Sequence, residues 1–316
     1  MSTLTGSTHC HRSGPSPLRR AVDVLLPAAE PLRPAVLRIG VGAFSALHHA
    51  RRRPMFRRLH RQDAAQFAPV GVVRILRRPL PPRVADALFD AAQITNALAL
   101  LGLGHRVTGP LNAALQLWSL SYRNSWGMIL HNDNQLVMHQ VILGLSPAAD
   151  ALSADAALRA APQRSAVLSR RYGGVATAMN IATTAVYLLS GIAKLRSPQG
   201  WKWASGQTLR DQIGADAVRK EVFGSKAPRM ASALYRSRAR FGALAAIALA
   251  VELGAPAALL DRRAGQLLAV AAWGMHVGIR FTMGIRFTYN LSGVSYLPLV
   301  PVGAQLPPVR GITPRA

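Results

Sequence analysis

Cysteine is nearly missing from this chain: its 316 residues hold one, Cys10, so neither an intramolecular disulfide nor a CxxC pair can form and dithiol redox chemistry is excluded. Acid is scarce as well, with 13 Asp and Glu against 38 Lys and Arg. Only 16% of residues are charged, well below the roughly 25% of an ordinary soluble domain. Lysine itself occurs just at Lys194, Lys202, Lys220 and Lys226, so the basic surplus is almost all arginine. No HExxH spacing points to a metal, and no period of 20–50 residues points to a solenoid or propeller. Alternating strand patterns are missing, which excludes a β-sheet domain. After Arg19 and Arg20 no small-residue cleavage site follows, which argues against a secretory signal peptide.

What the chain does have is apolar bulk. Half of it is hydrophobic, the mean hydropathy is +0.18, and the apolar residues come in runs near the ~20 that span a bilayer. The clearest runs are 84–103, 173–194, 241–260 and 265–283; shorter or more polar ones are 35–49, 107–122, 135–149 and 287–302. This pattern predicts an all-α fold, a polytopic transmembrane bundle of about eight helices. It divides into a disordered or interfacial N-terminal tail (1–34), a transmembrane domain (35–303) and a C-terminal tail (304–316). The run 64–76 is too short to span and is expected to lie in the interface.

A net charge of +25 would suit nucleic acid, but a nucleic-acid binder gathers its basic residues on one face beside aromatic or helical readers. Here they lie in loops between apolar runs. That placement predicts a multi-pass protein of the bacterial inner membrane, with the lipid membrane and its anionic headgroups as partner and no nucleic acid. The basic stretches 51–83 and 196–240 are separated by four predicted crossings, so both fall on one side, expected to be cytoplasmic. The Lys194 end of its helix shares that side.

Several polar residues sit inside apolar runs. Thr177, Asn180, Thr184, Tyr187, Gly191 and Lys194 recur at steps of three and four and form one stripe on a helix. A buried lysine can act as a base near neutral pH; the plainer alternative is that it snorkels to the interface while Thr and Asn join helices. The segment 123–135, with His131, Asn132, Asp133 and Asn134, concentrates donors and acceptors just before an apolar run, where Asp133 or Asn134 could also serve as a helix N-cap. Trp273, His276 and Arg280 share a face of another helix. Glu252 is the one acid within its run and the natural countercharge for Arg280 or Lys194.

Leu37-Arg38-Ile39-Gly40, His131-Asn132-Asp133-Asn134, Ser153-Ala154-Asp155, Gly191-Ile192-Ala193-Lys194-Leu195 followed by Trp201, Glu252-Leu253-Gly254-Ala255-Pro256 and the 276–290 region follow one another in an order that resembles the HTTM family. That family shares its fold with the membrane domain of vitamin K-dependent gamma-glutamyl carboxylase. The resemblance implies a reduced quinone as cofactor and Lys194 as the base that deprotonates it; in the enzyme reading, His131 of the donor-rich segment is a second catalytic residue. Asn132, Asp133, Asn134, Tyr187, Glu252, His276 and Arg280 would contact a lipid-soluble substrate. The implied chemistry is oxygenation of the quinol, proton removal from a carbon acid and CO2 capture. The chain departs from the carboxylase by ending shortly after its last helix and by the cytoplasmic placement of Lys194, so peptide carboxylation is not the expected outcome. The competing expectation is a non-catalytic accessory or immunity-type membrane protein; a transporter is disfavoured because paired, Gly/Pro-broken helices in two related halves are not evident. An enzyme requires Lys194, Tyr187, His131 or Asp133, and Glu252 to converge on one cavity.

Overall fold

A computed structural model describes residues 16, 22–23, 25–127, 131–159 and 168–301, with the side chains of His131 and Asn132 left out. The described residues are all-α. No β-strand forms among them, and an isolated bridge joins Ala29 to Ser169. The helices are α1 (Leu32–Leu59), α2 (Pro82–Leu101), α3 (His105–Asn124), α4 (His131–Gly144), α5 (Ala154–Leu158), α6 (Arg170–Arg196), α7 (Gln207–Val222), α8 (Arg229–Tyr235), α9 (Arg238–Gly254), α10 (Arg262–Met283) and α11 (Thr288–Leu291).

Their ends carry local signals. Pro82 opens α2, where a missing N–H costs nothing, and Gly102 closes it with a left-handed backbone. The Asp261 carboxylate caps α10 by accepting from the Arg263 and Ala264 amides at 2.8 and 3.0 Å. Ser169 caps α6 through the Arg171 amide.

Three segments are long and apolar enough to cross a membrane by length and composition: Pro82–Leu101, Arg170–Arg196 and Arg238–Leu259. The last is α9 continued by a 3-10 turn, Ala255–Leu259. With α1, α3, α4 and α10 they run between two ends of the bundle. At one end Arg52 meets Asp133 at 3.0 Å, the Ala68 amide donates to Ser125 O, and Lys220 Nζ, on α7, donates to the Met283 carbonyl. At the other end Asp155 meets the start of α3 and Arg33 meets the 298–300 carbonyls. Both basic stretches therefore lie at the first end.

Three sequence expectations need correction. Arg51, Arg52, Arg53, Arg57 and Arg58 belong to α1, whose 28 residues outrun the apolar part of their segment, so the loop begins at His60. Likewise α1 starts at Leu32, inside the supposed tail; residues 302–316 lie outside the described set. The 64–76 run, expected to be too short to span, folds as two 3-10 turns, with Phe67 5.1 Å from the Trp126 ring and the Val70 amide bonded to Ser125. And the last run, 287–302, is no straight helix: it breaks into α11, a turn at Gly293 and a 3-10 segment, Val294–Leu299. Thr288 still reaches His48 while Pro298 O accepts from Arg33. Those two contacts are 15 residues apart on α1, about 22 Å along its axis, so the broken segment threads most of the bundle. Irregular backbone at such depth is tolerated where protein surrounds it, and Tyr289, Asn290, Ser295 and Tyr296 are all buried.

Candidate functional site

The tertiary core of the site is where the broken segment meets α4 and α6. Asn290 Nδ2 donates towards Gln135 Oε1 at 3.1 Å, Tyr296 OH at 3.2 Å and Tyr187 OH at 3.4 Å. The Tyr187 and Tyr296 hydroxyls share a hydrogen bond of 2.7 Å. Behind Tyr296 lies His276 Nδ1, at 3.3 Å. Gln135 also donates to Thr183 Oγ1 at 3.1 Å, and Thr183 meets His139 Nε2 at 3.0 Å. His139 Nδ1 in turn lies 2.7 Å from Tyr289 OH. A buried polar group is tolerated when it is bonded, and here each of these side chains has a partner from a different element.

Beside this network is a cavity of about 680 Å³ between α6, α9 and α10, with α7 across one end. Val186, Leu209, Ile213, Ile247, Met275 and Ile279 make its walls apolar; Gln135, Tyr187, Lys194, Glu252, His276 and Asn290 supply its polar side. Lys194 Nζ donates to Glu252 Oε1, and Trp203 holds its ring centroid 5.6 Å from the same ammonium. Helix approach makes the pair possible: Gly191, one turn before Lys194, leaves room for α9, since a Cβ there would meet Leu253 Cδ2 at 2.9 Å and Glu252 Cβ at 3.1 Å. The Glu252 side chain is 7% exposed and that of Lys194 is 28% exposed. Two acceptor atoms on the polar side, Glu252 Oε2 and Asn290 Oδ1, are buried without a hydrogen-bond partner among the described residues.

The sequence-predicted residues divide. Lys194, Tyr187, Glu252 and His276 come together on the cavity. Asp133 does not join them: it lies with Arg52 at 3.0 Å, His48 at 3.5 Å and Arg123 at 3.7 Å, an ion cluster drawn together because three cationic or cationisable side chains converge on one carboxylate. Asn134 accepts from Asn124 Nδ2 at 3.2 Å, so it ties α4 to the end of α3 instead of reaching the cavity. The side chains of His131 and Asn132 lie outside the described residues. Arg280 is half-buried, neither lines the cavity nor pairs with Glu252, which Lys194 has taken. Trp273 turns its indole N–H to Leu291 O at 3.1 Å.

Thr183, Asn290 and Tyr296 are network residues that the sequence does not mark as site candidates, whereas Gln135 closes the donor-rich segment 123–135 and His139 lies one turn further on. Gln135 and His139 are one helical turn apart, a spacing that marks a shared face and was visible in the sequence. Asn290 and Tyr296 carried no periodic signal, because their segment is not a regular helix.

Comparison of the chain with family models, with curated proteins and with solved structures gives no match.

Proposed function

We propose that the chain is a multi-pass inner-membrane protein of the HTTM type that binds a lipid-soluble hydroxyl donor, of the reduced-quinone class, in the Lys194 cavity. The observation that carries this reading is the convergence of Lys194, Glu252, Tyr187 and His276 on one apolar-walled space of about 680 Å³. Such a space is within the range of small-molecule sites, roughly 300–1,000 Å³. Glu252 Oε2 and Asn290 Oδ1 lack donors, and a ring bearing two hydroxyl groups would satisfy both. Burying either acceptor unbonded costs about 1–3 kcal/mol, which bound donors would remove.

A reduced quinone supplies acidic hydroxyls. In this reading the Lys194 and Glu252 pair holds the proton those hydroxyls release, while the remaining ammonium charge steadies the resulting oxyanion. Tyr187 and Asn290 orient the ring, and the apolar walls exclude water. Lys194 then works as one half of a pair, not as an isolated base.

The test is extraction of ligands from detergent-purified protein followed by mass spectrometry. A quinone co-purifying with the native chain and depleted at least tenfold in Asn290→Leu and Lys194→Ala is the expected result. Native protein that carries no quinone and binds none added to it would favour the accessory-protein reading.

A further inference from the structure

A second cavity, of about 450 Å³, opens at the end of the bundle opposite Lys194, among the starts of α1, α6 and α10. Its polar lining is Arg33, Thr177, Asn180, Asp261 and Arg262. We propose that this cavity binds the headgroup of a phosphatidylglycerol-type lipid, with the phosphate between Arg33 and Arg262 and a headgroup hydroxyl donating to Asn180.

Four observations carry it. Arg33 is held in place by two carbonyls, Val300 O at 3.1 Å and Pro298 O at 2.9 Å, so its guanidinium is preorganised at the cavity wall. Arg262 lines the same cavity, so two positive charges share one lining. Its own side chain forms no hydrogen bond or ion pair among the described residues. Asp261 is the one carboxylate of the lining and is already capping α10, so the lining carries a surplus of one positive charge, which a phosphodiester would balance. Lastly, Asn180 Oδ1 is buried with no donor, while its Nδ2 is spent on Pro298 O at 3.2 Å.

The lipid source follows from depth. Two of the three membrane-crossing segments finish here: Arg170 begins one and Leu259 ends another, and Leu259 lines the cavity. In a bilayer this level is the headgroup layer. Leu168, Ala176 and Leu299 add apolar wall, which suits the glycerol and first acyl carbons of a lipid and would stay unfilled by a free anion. The inference rests on the membrane location alone and is independent of the ligand proposed for the Lys194 cavity.

Native mass spectrometry of the detergent-purified full chain tests it, with phosphatidylglycerol, phosphatidylcholine and inorganic phosphate as separate arms. Phosphatidylglycerol should be retained at least tenfold more strongly than phosphatidylcholine. Arg262→Ala should lose that preference and Arg262→Lys keep part of it. Arg263→Ala, one residue along and outside the lining, should behave as the native chain. Arg262 is exposed, so folding should survive; an unchanged melting temperature checks this. Equal retention of both lipids, or equal loss in the Arg262 and Arg263 variants, would overturn the proposal. Inorganic phosphate that binds alone and displaces the lipid would overturn the lipid assignment.

Discussion

The half of the bundle made by α1–α4 and the half made by α9 and α10 use glycine in opposite ways. In the first half helices touch. A Cβ on Gly109 would meet Gly144 O at 2.5 Å, and buried amides stitch neighbours together: Asn96 to Gly42 O at 3.1 Å, Gln140 to Ser45 Oγ at 3.0 Å, Gln116 to Ala92 O at 3.0 Å. Arg38, 3% exposed, donates to the carbonyls of Ala99, Leu100, Ala148 and Leu152. The cavity beside Arg38 and Asn96 there holds only about 20 Å³. In the second half Gly274 and Gly278 face open space, with nothing within 4 Å of a built Cβ, and both line the 680 Å³ cavity. The same small residue closes a contact in one place and keeps a space in the other. Unpartnered polar atoms do not follow this division: Glu252 Oε2 is buried without a partner among the described residues, and so are Gln93 Oε1, His105 Nδ1, Ser119 Oγ and Gln140 Oε1 of the first half.

The sharpest way to break this contrast is to fill both kinds of glycine. Gly109→Val drives side-chain atoms into the α4 backbone, where overpacking costs about 3 kcal/mol. Thermal unfolding in detergent should show a large drop in melting temperature; a native-like midpoint would mean that α3 and α4 are not packed as described.

Lys194→Met should come next, at about 2 kcal/mol. It strands the Glu252 carboxylate, and the cost is set below the 3–5 kcal/mol of a fully buried pair because the lysine is partly solvated. Lys194→Met with Glu252→Leu should recover most of the loss. If the double variant is as unstable as the single one, the pair is not what couples α6 to α9.

Gly278→Ala should have the opposite sign. A helix-interior glycine replaced by alanine without a clash stabilises by roughly 0.5–1 kcal/mol, so the melting temperature should rise slightly. Because Gly278 lines the cavity, the same substitution should weaken retention of a cavity ligand. A fall in melting temperature comparable to that of Gly109→Val would erase the distinction between the halves.

The smallest effect belongs to Asp155. Its carboxylate accepts from the amides of His105 at 2.9 Å and Gly104 at 2.7 Å, and these two hydrogen bonds hold its pKa below the ordinary carboxylate value. A depressed folded pKa means that the stabilisation is complete above the unfolded value, near 3.9, and is lost as pH falls through the folded value. Screening at this solvated site reduces it to a few tenths of a kcal/mol. The stability gap between native protein and Asp155→Asn should be wider at pH 7 than at pH 3, since the remaining carboxylates titrate alike in both; a gap that does not change with pH would show that the cap contributes nothing.

Much of the bundle could be read directly. The runs 84–103, 107–122, 173–194 and 265–283 each correspond to a helix, to within a few residues, because apolar length and caps are local properties. Of the polar stripe on α6, Thr184, Tyr187 and Gly191 are buried. The Lys194 and Glu252 pairing was also foreseeable, since an acid alone in an apolar run must find a cation. By contrast, of the two alternatives His131 or Asp133, the side chain of His131 lies outside the described residues and Asp133 is drawn to Arg52, His48 and Arg123 instead of the cavity; no periodicity says which helix ends will meet.

The sequence by itself, then, determined the all-α class, the apolar segments, their caps and the faces they bury, since each depends on residues within one or two turns of each other. Tertiary structure alone decided that α3 and α4 close on glycine while α9 and α10 stand apart, and that 287–301 threads the bundle as broken backbone carrying Asn290 and Tyr296 to Tyr187. Such outcomes depend on which surfaces meet over separations of 100 residues and more, Tyr187 to Tyr296 among them. At that range no local preference acts, and the balance is struck by packing and by the need of every buried polar group for a partner.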